Sequence, residues 1–345
     1  MSDQPGELYF LGERELGGKG LTGFVKVGIV RASKTRSTAD RIDEHQTGNA
    51  RLIEELAVLT TPDVTFVEAT IHDLFATWRV GGEWFDLRDE RLGEVLETSR
   101  EIIATVSGAA SQLDEAKRLS GCESEGTLLP ASPLHWEIGG QVALARYART
   151  VCKGLEADLG ALLAAEAASG QDVTTFIDLQ VVRKKPALDK ASFRRDNPDT
   201  YESYCRATPT MSNTFTPSRR EKFGIDASSL DTPFRELVDE IKDMLSSFSP
   251  GSDPKAIHRK FLHLLRHNRR FELQDRVSTA ELKVACGTHP GIEGVCTWKR
   301  TLSTKVTFDE TAFASDHPDL YETFLRRPDD ILRPVLNRTL GRNLD

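Results

Sequence analysis

Cysteine is scarce in this chain. Five occur in 345 residues, and no two form a C-x-x-C pair. An odd count without close pairs argues against a disulfide framework and fits reduced thiols in the cytoplasm. Cys286, His289 and Cys296 lack an evident fourth ligand for a zinc site. Long apolar runs are also missing: none reaches about 18 residues, so no membrane span is expected. The opening MSDQPGE has no basic stretch leading into an apolar one, so no signal peptide is expected. Basic charge is not in excess either. Lys and Arg number 45 against 53 Asp and Glu, a net charge of −8, which argues against indiscriminate coating of nucleic acid. A local basic groove remains open, since affinity follows the phosphates actually neutralised. Even residues 1–90 hold 10 Lys/Arg against 16 Asp/Glu. What is left is a globular composition, long enough for two or three domains.

The chain is organised around residues 24–49 and 67–85. Val25, Val27 and Ile29 alternate with Lys26 and Gly28, which predicts a strand. Gly28 lets the backbone come close to something. Ser37 or Thr38 caps a following helix, on which Arg41 and His45 stand four apart on one face. A second helix, opened by Pro62-Asp63, puts Glu68, His72 and Phe75 on one side. An earlier strand carries Leu8-Tyr9-Phe10, and residues 51–59 read as a third. Each residue also has an ordinary structural use. Tyr9 suits a half-buried strand, Lys26 a strand edge, Arg41 and Glu68 a solvated helix face, and Trp84 and Phe85 a packed core.

Taken together and in order, these residues resemble the GIY-YIG nucleases over about residues 5–90. Leu8-Tyr9-Phe10 stands where GIY stands, and Lys26-Val27-Gly28 where YIG stands. Arg41, Gln46-Thr47-Gly48-Asn49, Glu68, His72, Phe75 and Gly82-Glu83-Trp84-Phe85 are similar to a bacterial and phage branch of that superfamily. The resemblance implies a metal-dependent endonuclease acting on DNA, in a setting such as phage defence, restriction or recombination. It implies Glu68 as ligand of Mg²⁺ or Mn²⁺, Arg41 on the scissile phosphate, and Tyr9 as general base or its relay. Lys26 replaces the second motif's tyrosine, where it would supply a cation beside Tyr9 or itself act as a base, and His45 would orient Tyr9 or bind phosphate. His72 and Glu83 are secondary candidates.

The implied fold is α+β: a small three-stranded antiparallel sheet with flanking helices in residues 1–90. Beyond it the spacing predicts helices over 92–119 and 134–168, a strand over 172–182 and a helix over 189–206 broken at Pro198. A polar connector over 208–231 follows, then helices over 234–248 and 254–286, an extended stretch over 295–308 and a helix over 309–326. A motif recurs at a separation of 120. Phe193, Asp196, Pro198-Asp199, Tyr201-Glu202 and Arg206 match Phe313, Asp316, Pro318-Asp319, Tyr321-Glu322 and Arg326. This predicts a duplicated, mostly helical α+β module: copy 1 over 91–210, a linker over 211–232, and copy 2 with a tail over 233–345. The second copy also resembles the tail beside YqaJ-type phage recombination exonucleases, although this chain has no PD-(D/E)XK core. Basic clusters such as Arg183-Lys184-Lys185 and Arg219-Arg220 suit a platform for nucleic acid, for a protein partner or for self-association. Binding without cleavage and a scaffold built on the repeats are the alternative functions.

Overall fold

The protein is described by a computed structural model over residues 4–18, 20–32 and 37–340. The first three residues, Lys19 in the glycine-rich connection, residues 33–36 and the tail 341–345 lie outside the described residues.

Two alternating strands start the chain. β1 (Gly6–Arg14) and β2 (Leu21–Arg31) pair antiparallel, with Tyr9 opposite Gly28. Alternation sends Leu8, Phe10, Val25 and Val27 into one core and Tyr9, Leu11 and Val30 into another. The helix α1 (Thr38–Gln46) covers the second face through Ile42. Ser37 is its cap, in a reciprocal bond with Asp40, and Thr38 instead bonds Glu7 on β1. β3 (Ile53–Thr61) lies on the outer side of β1. α2 (Val64–Leu74) packs Val67, Ile71 and Leu74 on the first face. Its cap is Asp63, so Pro62 precedes the cap rather than opening the helix. The sheet has five strands, not three. β4 (Arg79–Gly81) and β5 (Trp84–Asp86) turn about Gly82, at φ 55°, and join the edge of β2. Strands of three residues are too short to show alternation. α3 (Arg91–Gly108) adds Val95, Ile102 and Val106 to the same core, so that core runs beyond residue 90.

α4 (Ala110–Ser120) leads to the long α5 (Pro133–Ala168), capped by Ser132 with Pro133 in its first turn. Next come β6 (Ile177–Val182), β7 (Ala187–Leu188), α6 (Lys190–Asp196), α7 (Pro198–Ser203) and β8 (Cys205–Pro217). Pro198 restarts the helix after Asn197, as a proline must. α8 (Thr232–Ser247) and α9 (Pro254–Cys286) follow, then β9 (Gly291–Ile292) and β10 (Cys296–Phe308). The chain closes with α10 (Glu310–Asp316), α11 (Pro318–Thr323), β11 (Leu325–Arg326) and β12 (Ile331–Leu336). α5 and α9 run antiparallel: Gln141 bonds Ser278, Arg146 bonds Asp275, and Glu166 accepts from Gly251 and Ser252. Phe234, Leu237, Phe261 and Leu265 fill the core beside them.

The expected connector after residue 208 is corrected. Its first half is β8, a 13-residue strand paired along its whole length with β10. Pro209 and Pro217 disguise it, but an edge strand tolerates proline, and β8 is an edge. The duplicated motif forms a pseudo-twofold knot. Asp189 N–H donates to Phe324 O at 2.9 Å, and Asp309 N–H donates to Tyr204 O at 2.9 Å, so donor matches donor and acceptor matches acceptor at an offset of 120 residues. Leu188 pairs with Leu325 as Phe308 pairs with Cys205. Phe193 and Phe313 meet near the pseudo-axis with ring centroids 4.5 Å apart. Strands pair across the copies, β6 with β12 and β8 with β10, so the copies interlock rather than stand side by side. Cys286 and Cys296 lie with sulfurs 3.7 Å apart, while His289 turns away to Thr127 O.

The N-terminal sheet is clamped onto α9 by charge. The Asp73 carboxylate, 4% exposed, accepts from Arg269 at 2.6 Å and Arg338 at 2.9 Å. Asp63, the cap of α2, also pairs with Arg276 at 2.5 Å. Removing one partner of a buried pair leaves charge uncompensated, although Arg338 is half exposed and screens part of the loss. Asp73→Ala should therefore cost about 1–3 kcal/mol in urea unfolding. A cost within ±0.5 kcal/mol would show that the clamp is solvated surface.

Candidate active site

The site forms where the sheet's second face meets α1 and the β4–β5 turn. Tyr9 is fully buried, and the phenol end of its ring lies against Gly28. A β-carbon at position 28 would stand 2.4 Å from the Tyr9 hydroxyl, so glycine is what permits the approach. The hydroxyl lies 3.4 Å from His45 Nε2. Burial raises Tyr9 above its usual value near 10, opposed by the Arg41 guanidinium beside it. Arg41 bonds Glu44 at 2.6 Å, and its Nε is buried with no hydrogen-bond partner among the described residues. His45 is held below its usual value by burial and by the charges of Lys26 and Arg41, so its ring is neutral at pH 7.

Lys26, nearly buried, pairs with Glu83 at 2.7 Å and lies over Trp84. Burial pushes the Glu83 carboxyl up, but the Lys26 bond and charge outweigh it and hold it below the usual range. The cation acting on Tyr9 is thus Arg41, while Lys26 is engaged by Glu83. Glu68 is pushed up to about 7, by burial first and then by the charge of Glu83; Arg31, Arg79 and Lys26 oppose the rise. His72 lies elsewhere. Its Nε2–H donates to Val27 O at 3.0 Å, its ring packs on Phe85, and burial lowers it to about 4. It fastens α2 under β2 as a neutral core histidine.

Gln46 and Asn49 of the Q-T-G-N run have a structural role. Gln46 donates to Asn49 O and Arg51 O and accepts from Ile53 N, while Asn49 bonds Glu13. They close the turn from α1 into β3. Beside this turn lies a groove of about 910 Å³, lined among others by His45, Gly48, Arg51, Trp84 and Arg91. Arg31 and Arg79, both acting on Glu68, were not singled out by sequence reasoning. Arg79 falls inside the 67–85 stretch, but an arginine opening a three-residue strand carries no periodic signal.

Strand order, a tyrosine against a glycine, and an arginine and a histidine beside that tyrosine call for comparison with known domains. Residues 6–102 match the T5orf172 domain. The match covers 97 of 345 residues and supports a nuclease-like relation for the N-terminal part, with a role on nucleic acid. No curated protein and no solved structure matches the chain. The T5orf172 segment contains every site residue described above and ends within α3, whose side chains complete its core. No helix among the described residues is long and apolar enough to cross a membrane. Among them, no group of three or more His, Cys, Asp or Glu gathers into a metal cage.

Proposed function

We propose that the N-terminal domain is a GIY-YIG-type, metal-dependent endonuclease that hydrolyses phosphodiester bonds of DNA. The observation that carries this reading is the Tyr9 hydroxyl, seated over Gly28 between Arg41 and His45. Glu68 suits Mg²⁺ or Mn²⁺, because such ions keep several waters and need only one or two protein carboxylates. A carboxyl raised to about 7 by burial and a neighbouring carboxylate is relieved by a cation. When bound, the ion supplies charge neutralisation at the phosphate and a more acidic water. Arg41 holds the scissile phosphate through the exposed part of its guanidinium. Tyr9 passes its own hydroxyl proton to neutral His45 as it takes the proton of the attacking water. Lys26 and Glu83 fix the electrostatic frame around them. The groove beside His45 carries the flanking strand, with Arg51 and Arg91 facing phosphates. The C-terminal repeats target the domain, in a setting such as phage defence or restriction.

Incubation with plasmid, linear duplex, single-stranded DNA and RNA, with Mg²⁺ or EDTA, tests the reading. Metal-dependent cleavage of DNA is expected. Binding in every lane without cleavage would favour the alternative that Lys26 suggests by replacing the second motif's tyrosine. Arg41→Ala should lower cleavage about 10²–10³-fold. What activity remains should move to higher pH, since burial of Tyr9 is then unopposed. Lys26→Ala should leave that alkaline limb in place. A pH profile unmoved in Arg41→Ala would remove Tyr9 from the proton route.

A further inference from the structure

The β8–β10 ribbon has two unlike faces. One buries Cys296 and Trp298 in the core with α5 and α9, and Arg300 against Leu119 O and His289 O, which anchors this end of the ribbon; farther out the same face exposes Leu302 and Val306. The other has twelve side chains, the even positions 206–216 and the odd positions 297–307, and all twelve are exposed. Seven are Thr, two are Ser and three are cations: Arg206, Lys299 and Lys305. None is acidic, in a chain whose net charge is −8. Glu123 reaches the ribbon at its edge, where it accepts from Leu302 N–H, and not on this face.

The geometry points to this hydroxyl-and-cation face as a binding surface for the phosphate backbone of duplex DNA. Surface threonines in a solvated ribbon need no cation among them and no exclusion of carboxylates. Hydroxyls donate to phosphate oxygens, and lysine and arginine release their counterions. Thirteen paired residues span about 43 Å, more than one ~34 Å turn of the duplex. Lys299 and Lys305, six residues apart, are separated by about 20 Å, and Arg206 sits beside Lys305 at the far end. A two-stranded ribbon also fits the ~12 Å width of the major groove. This goes beyond the cleavage reading and shares with it only nucleic acid as the partner.

The test uses the full chain in EDTA, so that binding is read without cleavage. Affinity for a fluorescent 30-base-pair duplex is measured from about 50 to 200 mM salt, for wild type and for R206Q/K299Q/K305Q. The variant should bind more weakly, on the order of 10²-fold at 0.1 M salt, with the slope of log K against log salt reduced by about 2.7. A control with equal charge loss elsewhere, K153Q/K222Q/K242Q, should keep the wild-type slope. Equal slopes for wild type and the ribbon variant would overturn the proposal and leave the Glu68 site untouched. So would wild-type binding that is tighter for single-stranded DNA or for RNA than for the duplex. Loss of cleavage in Glu68→Ala with the ribbon slope intact would separate the two surfaces.

Discussion

Glu68→Gln should reduce cleavage to background and, without divalent metal, make the protein more stable at pH 8. Both results come from one carboxyl. Its pKa stands at about 7 in the folded protein against 4.5 for an ordinary glutamate, with burial the main cause and Glu83 second. The folded state therefore keeps its proton through a window in which the unfolded chain has lost it. Stability falls as pH rises from about 4.5 through 7, and levels off above. The loss amounts to up to ~3 kcal/mol, since each tenfold difference in proton affinity between the folded and unfolded chain is worth ~1.4 kcal/mol. Glutamine fills the space without ionising. The variant and wild type should be equally stable near pH 4, with the gap opening toward pH 8 in urea unfolding. Added Mg²⁺ should narrow the gap for wild type alone, since only wild type keeps the carboxylate. A Glu68→Gln protein that cuts DNA at the wild-type rate would falsify the assignment of this site.

Gly28→Ala should be nearly as damaging to cleavage, although it adds a single methyl group. The new carbon would stand 2.4 Å from the Tyr9 hydroxyl and 2.6 Å from the ring carbon bearing it. Tyr9 is fully buried on a paired strand, so the ring has no open space to enter. The overlap is relieved only by a movement of about 1 Å, which costs on the order of 10²-fold in rate when it displaces a catalytic group. Overpacking should also cost about 1–3 kcal/mol. Alanine is otherwise the better strand residue, so a stability gain would mean that the ring does not rest on Gly28. Cleavage assays on the variant and on Tyr9→Phe should show losses of similar size, because both take the hydroxyl away from Arg41 and His45.

Much of the N-terminal site was legible because each residue came with a local signal. Tyr9 and Lys26 sit in alternating strands, Arg41 and His45 share a helix face, and Gly28 breaks a β-branched run. Glu83 carries no such local signal, since its part comes from position: it pairs with Lys26 and raises Glu68 across the sheet edge. His72 shows the opposite case. Its spacing put it beside Glu68, but a carbonyl of β2 took its only proton. The repeat was readable at separation 120, whereas the pairing of strands across copies was not. Identical partners can pair within or between copies with the same local pattern. β8 was hidden by its prolines and threonines, which read as a polar connector until β10 is placed alongside.

The interlocked ribbons impose an order of events during synthesis. The T5orf172 segment has its sheet and α3 complete by residue 108 and can fold as soon as it emerges. β6 cannot, because its partner β12 begins at Ile331, about 150 residues later. At ~5–20 residues per second the ribosome needs roughly 10–30 s to deliver it. Throughout that interval Leu179 and Val181 lie on a strand with no partner, and both remain exposed even in the finished fold. The nascent chain thus carries an unpaired half-ribbon beside a folded nuclease-like domain until β12 arrives to complete the pairing.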